Sequence, residues 1–282
     1  MEQNYNKKIF ISDLDGTLID NALKNNDEVS QCIHHIINHQ DEFVVATGRT
    51  LYGIQLLDFY TLPLYLIAMN GALILDKEKN VIYEQRIEEY IVNDILSKYP
   101  HDNIEFITKE KTYTTLSKED YIERYSQWDL WKHKMLSKGQ QDQMDFMLSH
   151  FEFQADINQV KDCIIKINIL ELDQEKYKEK VKYVNQYKTV QNNPFSKNVI
   201  ELTSQGVTKK EAILKLMKMN AWKKDHIYVF GDGDNDSDML SYFQNSYAPE
   251  NASSKAKQSA KHLIGQCSSN SVIHQIYNIT KY

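Results

Sequence analysis

The sequence predicts an α/β fold: a doubly wound parallel sheet interrupted by a second, inserted α/β domain. Three observations carry this. Short, wholly apolar runs alternate with helical patterns near both ends of the chain. Such runs suit strands that are covered on both faces, as in a parallel sheet. The stretch from about residue 85 to 195 differs, holding two of the three tryptophans and eight of the 18 tyrosines. At 282 residues the chain suits two domains better than one.

Taken in order, Lys8 to Ser12 reads as a buried strand. Val29, Ile33, Ile36 and Ile37 share one helical face behind the capping candidates Asn26 and Asp27. Phe43 to Thr47 is a second strand, and Thr50 caps the helix after it. Leu64 to Ala68 is a third strand and Leu73 to Leu75 a short fourth. In the middle, Ile104 to Thr108 and Thr112 to Leu116 form a hairpin. Cys163 to Leu170 alternates as a strand, Asp173 to Gln186 is helical, and Val199 to Leu202 returns as strand. Toward the end, Thr208 and Glu211 give a capping-box signature for a helix burying Ala212, Ile213, Leu216 and Met217. Ile227 to Phe230 is another apolar strand. The expected domains are residues 1–84 and 195–282 as core, with 85–194 as the insert.

Composition narrows the function. Hydrophobic residues make up 41%, and only 9 Gly and 4 Pro are present, which excludes disordered and fibrous classes. A net charge of -6 lacks the basic footprint of nucleic-acid binding. The apolar run Ile9 to Ile11 is too short for a signal peptide, and no stretch reaches membrane-span length. Cys32, Cys163 and Cys267 have neither disulfide nor zinc spacing, so a reducing cytoplasm is expected, with each thiol a small buried hydrophobe.

Chemistry concentrates at strand ends, where ligands collect in open parallel sheets. Asp13-Leu-Asp15-Gly16-Thr17 follows the first strand. Acids at i and i+2 of extended chain point to one side, and their repulsion calls for a cation or a proton. Gly16 permits a tight turn. The local alternative is an Asp-rich turn. Asp232 and Asp236 lie in Gly231-Asp-Gly-Asp-Asn235-Asp, after another apolar strand. A calcium loop would place Gly sixth and Glu twelfth, where this chain has Ser237 and Phe243. A magnesium site shared with the first acid pair fits better. Thr47-Gly48-Arg49 offers a hydroxyl and backbone N–H groups to phosphate oxygens, or is simply a strand-to-helix turn. Lys209 stands in the first turn of a capped helix, where the dipole disfavours a cation unless an anion is near.

The order of these motifs resembles the haloacid dehalogenase superfamily, and within it the Cof-type phosphatases with a large α/β (type IIB) cap. The matching residues are Asp13-Leu-Asp-Gly-Thr-Leu18, Ala46-Thr-Gly-Arg49, Asn70-Gly-Ala-Leu73, Gly206-Val-Thr-Lys-Lys-Glu211 and Gly231-Asp-Gly-Asp-Asn-Asp236. The resemblance implies a Rossmann-type core and a cap that closes over the site. It makes Asp13 the nucleophile, Asp15 the acid and base, and Thr47 and Lys209 their catalytic partners. Gly48, Asn70, Gly71 and Asn235 would line the phosphate. Mg²⁺ would be held by Asp13, the Asp15 carbonyl, Asp232 and Asp236, with Asp236 orienting waters or Lys209. The expected substrate is a small phosphorylated metabolite (a sugar phosphate, nucleotide or cofactor phosphate), and the oligomer a monomer or homodimer. Alternatives are a sugar phosphomutase and a non-catalytic phosphometabolite-binding module. One departure is Ser268-Ser-Asn-Ser-Val272, where many relatives carry an acidic-Gly-Val segment.

In the insert, Tyr121, Tyr125, Trp128 and Trp131 fall at near-helical spacing and read as a packing face rather than a stacking platform. Lys166 and Asn168 share one strand face, which could face the cleft and is expected to be solvated. His34, His35 and His39 read as surface or packing residues.

Overall fold

A computed structural model of the chain describes residues 7–20, 27–128, 138–194 and 196–281. These form two compact units. One takes the chain up to Arg49, then Ile54–Tyr83, then from Thr208 onward; the other takes Thr50–Gly53 and Glu84–Val207.

The first unit, the core, starts with β1 (Ile9–Ser12), buried along its whole length. The chain continues through α1 (Asp27–Asn38), β2 (Glu42–Ala46), α2 (Leu51–Gln55, whose first three residues cluster with the second unit), β3 (Tyr65–Ala68), β4 (Leu73–Leu75) and β5 (Val81–Glu84). The insert supplies α3 (Glu89–Lys98), β6 (Ile104–Ile107), β7 (Thr112–Tyr113), α4 (Lys118–Ser126), α5 (Lys138–Ser149) and β8 (Phe151–Glu152). It ends with β9 (Lys166–Leu170), α6 (Gln174–Val184), β10 (Val190–Asn192) and β11 (Val199–Ser204). The core resumes with α7 (Lys209–Asn220), β12 (Ile227–Phe230), α8 (Ser237–Tyr242), β13 (Asn245–Pro249), α9 (Ser254–Ser259), β14 (His262–Ile264) and α10 (Ser271–Thr280).

The core sheet has the order β14-β13-β12-β1-β2-β3-β4-β5. From β14 to β3 every neighbour is parallel, and β4 runs antiparallel to β3. The central strand β1 is therefore built from chain-start residues yet pairs with β12 from the far end. The strand order reverses there, which makes the carboxyl end of β1 a topological switch point. Ile9 and Ile11 pack with Ala212, Ile213 and Leu216 of α7. Phe10 instead stacks on Tyr228, with centroids 5.3 Å apart. This two-sided burial is why the strand reads as unbroken hydrophobics.

The helices follow their sequence signals. Asp27 and Glu28 sit in the first turn of α1, where they complement the helix dipole, and Val29, Cys32, Ile33 and Ile36 are buried. Ile37, expected on that face, is half-buried. The Thr208 hydroxyl accepts from the Glu211 N–H and caps α7, as the sequence predicts. Ala212, Ile213 and Leu216 are buried, while Met217 is only half-buried.

The second unit, the cap, is a separate sheet ordered β10-β11-β9-β6-β7-β8. One face carries Ile104, Phe106, Ile167, Ile169, Ile200 and Leu202, packed with Ile91 and Val92 of α3 and Val184 of α6. The opposite face carries Glu105, Lys166, Asn168, Glu201 and Thr203, all buried. This corrects the expectation of a solvated face for Lys166 and Asn168. The second domain boundary also shifts. β11 pairs antiparallel with β9 through residues 199–203, so the strand expected in the core belongs to the cap, which extends to Val207. The Thr50–Gly53 segment joins the same unit: the Tyr52 hydroxyl lies 2.6 Å from Thr112 Oγ1, and its ring stacks on His150.

Tyr121 and Trp128 are buried and Tyr125 packs edge-on to Trp128, which matches a packing face; Trp131 lies outside the described residues. His35 bonds Thr280 and packs against His39 and Tyr277. Cys32 and Cys267 are buried, and Cys163 is half-buried. Among the described residues, no helix is long and apolar enough to cross a membrane.

Candidate active site

The site grows from the carboxyl ends of β1 and β12. Main-chain pairing sets its frame, because the Asp13 N–H donates to the Phe230 carbonyl and fixes the two loops side by side. Gly16 turns the first loop at φ 79°. A Cβ there would stand 2.4 Å from Asp232 Oδ2, so only glycine lets the loops approach this closely. Thr17 then donates its hydroxyl to Asp232 Oδ1 at 2.8 Å.

Lys209 joins them from the first turn of α7. Its ammonium is fully buried and donates to Asp13 Oδ1 at 2.5 Å and Asp236 Oδ1 at 2.7 Å. Burial would lower its pKa, but Asp13 and Asp236 overcome that and hold it above the ordinary lysine value. The unfavourable placement at a helix start is thus offset by two carboxylates. Asp236 uses its other oxygen to accept from the N–H groups of Asp232 and Gly233, closing the Asp232–Asp236 turn. Burial, and then the charge of Asp13, push the Asp232 carboxyl up to about 7. Burial also raises Asp236, despite Lys209.

Asp13, Asp232 and Asp236 can each offer an oxygen within 4.8 Å of the others. One ammonium among three carboxylates leaves excess negative charge, and the raised Asp232 reports the cost. An all-oxygen donor set with that excess suits a hard divalent cation.

The phosphate-side residues converge from a second direction. Thr47 is buried at the end of β2, and its Oγ1 accepts from the Arg49 N–H at 3.1 Å. Its carbonyl accepts from the Asn70 N–H. Asn70 has φ 58°, and its Oδ1 accepts from Asn235 Nδ2 at 3.0 Å. Gly48 abuts the Asn70 amide, and Gly71 passes so near Thr208 that a Cβ would lie 2.5 Å from that carbonyl. Asp15 lies outside the group of three carboxylates, and Arg49 grips its carboxylate with two N–H donors.

The chain matches the family model of the haloacid dehalogenase-like hydrolases over residues 10–276. It belongs to that family. Relatives named as phosphatases include 5-amino-6-(5-phospho-D-ribitylamino)uracil phosphatase YbjI of Escherichia coli, 23% identical over 283 residues and covering 98% of this chain and 97% of the relative. YwtE of Bacillus subtilis carries the same activity name, at 23% identity over 283 residues, with 95% and 96% covered. A solved haloacid dehalogenase-like hydrolase from B. subtilis superposes with a TM-score of 0.79 at 21% identity, covering 96% of this chain and 99% of that one. This hydrolase is therefore a phosphatase acting on small phosphorylated substrates, in a family that generally uses a divalent metal.

Two residues around the phosphatase site, Asn251 and Ser253, were not singled out from the sequence. Asn251 donates to the Gly16 carbonyl at 2.7 Å and accepts from the Cys267 N–H at 2.8 Å. It thereby ties the nucleophile loop to the C-terminal turn, where Cys267–Ser269 forms a 3-10 turn closed by Asn270 at φ 53°. Ser253 caps α9, bonds Asp234, and its N–H donates to the Asp232 carbonyl. The polar run Glu250 to Ser253 after an apolar strand was the available signal. Arg49 was noted within its motif, but nothing in the sequence indicated Asp15 as its partner.

Proposed function

We propose that this phosphatase is a Mg²⁺-dependent phosphomonoesterase that works through an aspartyl-phosphate on Asp13. The observation that carries the reading is the buried Lys209 ammonium bridging Asp13 and Asp236 beside the raised Asp232 carboxyl. It fixes Asp13 Oδ1 and so orients the carboxylate at the end of β1.

In the first half-reaction the Asp13 carboxylate forms a bond to phosphorus. The bond from phosphorus to the leaving oxygen breaks, and Asp15 passes a proton to that oxygen. In the second half, water attacks the same phosphorus and gives a proton to the Asp15 carboxylate. The Asp13–phosphorus bond breaks, and inorganic phosphate is released. Splitting the transfer replaces one hard step with two easier ones. Lys209 orients Asp13 and offsets charge on the transferring group, where positioning and electrostatics carry most of the catalysis. The Thr47 hydroxyl, accepting from Arg49 N–H, keeps its own hydrogen for a phosphoryl oxygen. Gly48, Asn70, Gly71 and Asn235 shape the rest of that cradle. The Asp13 and Asp232 carboxylates and the Asp15 carbonyl would hold Mg²⁺. Both Asp236 oxygens are engaged by Lys209 and the loop N–H groups, so its role is to anchor them. When bound, the ion supplies positive charge that offsets the phosphoryl oxygens.

The named activities of the two relatives make a ribityl-type or sugar-type phosphate the first substrate class to try. The test is phosphate release from a panel of sugar, nucleotide, polyol and cofactor phosphates, with Mg²⁺ and with chelator. Release that needs Mg²⁺ and is lost in Asp13→Asn is expected. Near-normal turnover by folded Asp13→Asn would sink the nucleophile assignment.

A further inference from the structure

We propose that Arg49 is the positioning residue of Asp15, fixing the direction from which that carboxyl exchanges protons. This rests on the acid-base role assigned to Asp15 above. Arg49 Nε donates to Asp15 Oδ2 at 2.8 Å, and a terminal nitrogen donates to Oδ1. Two parallel donors on two oxygens fix the carboxylate plane as well as its position. The Asp15 side chain is 49% exposed and the Arg49 side chain 16%. An ion pair this open adds little to folding. Its worth lies in orientation, because a half-exposed aspartate at a glycine turn otherwise samples several rotamers.

Arg49 is itself well anchored. Its N–H donates to Thr47 Oγ1, and its carbonyl accepts from the Met69 N–H. Both use only main-chain atoms of Arg49, so replacing its side chain leaves the phosphate-side loop connected. Asp15 gives its proton to the leaving oxygen, remains as the carboxylate held by Arg49, and then accepts a proton from the attacking water. Electron pairs and protons balance, with no additional reactant.

The experiment compares kcat/KM for p-nitrophenyl phosphate with kcat/KM for the fastest alkyl phosphate of the panel. A nitrophenolate leaves without a proton, whereas an alkoxide needs one, so their ratio reports proton delivery. Wild type, Asp15→Asn, Arg49→Met, Arg49→Lys and the Asp15→Asn/Arg49→Met pair are measured, with melting curves to verify folding. Arg49→Met should lower both values and raise the aryl-to-alkyl ratio by about tenfold or more, within the span of general acid catalysis. Arg49→Lys should restore most of the ratio. In the double variant the ratio should match that of Asp15→Asn alone, since Arg49 acts through Asp15. A ratio unchanged in Arg49→Met but raised in Asp15→Asn overturns the proposal. A ratio unchanged in Asp15→Asn overturns the acid role itself. If Arg49→Met fails to fold, Arg49→Gln takes its place under the same criteria.

Discussion

The core and the cap both bury charge, and they balance it differently. At the ends of β1 and β12, three carboxylates surround one ammonium. On the polar face of the cap sheet, Lys166 meets Glu201 at 2.7 Å, with both side chains almost wholly buried. Nearby, the Glu105 carboxylate accepts from the Tyr121 and Tyr125 hydroxyls and from Asn168 Nδ2. In the cap layer each charged group meets a protein partner, an ion for Lys166 and Glu201 and neutral donors for Glu105. The core cluster packs a third carboxylate against a single ion-paired lysine, and its excess charge calls for a cation from outside. Burial alone therefore does not mark an active site. Unbalanced burial at a strand-order reversal does.

Removing Lys209 should break this contrast most severely. Lys209→Met leaves the carboxylates with no ammonium among them. Turnover should fall by about 10²–10³-fold or more, the scale for loss of one preorganised electrostatic group. The melting temperature should fall as well, because Asp13 and Asp236 lose their buried partner. Steady-state kinetics with Mg²⁺, together with a melting curve, check both. A variant with near-normal kcat would mean that the core cluster is structural, like the cap layer.

Breaking the cap pair should separate stability from chemistry. Glu201→Gln breaks the buried Lys166–Glu201 ion pair, and losing one member of such a pair costs about 3–5 kcal/mol. Lys166→Met/Glu201→Leu should recover much of that loss, since apolar replacement of a whole buried pair is often neutral. Denaturant titration measures both. The folded fraction of either variant should keep kcat with p-nitrophenyl phosphate within a few-fold of wild type. A large loss of kcat in the stable double variant would move the Lys166–Glu201 pair from scaffold to site.

How far the sequence reaches depends on the range of each interaction. Asp13, Asp15, Lys209, Asp232 and Asp236 were legible because strand ends, caps and carboxylate spacing are local patterns. The parallel core was legible because two-sided burial leaves β1 and β12 unbroken hydrophobics. Arg49 was not legible as the partner of Asp15, since 34 residues separate them and a Thr-Gly-Arg turn looks the same with or without that bond. Lys166 and Asn168 alternate with isoleucines just as a solvated strand face does. Only the neighbouring strands, bringing Glu201 and Glu105 alongside, reveal the face as buried. The cap boundary slipped for the same reason: β11 is a strand in either domain until its pairing with β9 is seen.

The excess charge also sets a pH test. In chelated protein, Asp232 keeps its proton in the fold up to about pH 7, whereas an unfolded aspartate loses it near pH 4. Between those values the folded state binds more protons than the unfolded one. This contribution to stability therefore falls as the pH rises through the window. Chelated Asp232→Asn should melt progressively above chelated wild type from about pH 4 to about pH 7. Added Mg²⁺ should close that gap by stabilising the wild type. A gap that stays flat with pH would show that Asp232 ionises freely and that the core cluster carries no strain of charge.

The smallest effect should come from the matched side. Tyr125→Phe removes one of three donors to Glu105 and leaves Tyr121 and Asn168 in place. A hydrogen bond to a charged group is worth about 1.5–3 kcal/mol. Because the remaining donors still hold the carboxylate, the loss should sit at or below the lower end of that range. Asn168→Leu should cost more than Tyr125→Phe, because it sets an apolar group directly against the carboxylate across β6 and β9. Denaturant midpoints for the two variants and their combination test this ordering. Additive losses would show three independent bonds to Glu105, whereas a combined loss well above the sum would show that the carboxylate stays buried only while enough donors surround it. In either case kcat should hold, because a matched charge can lose a partner without reaching the chemistry at Asp13.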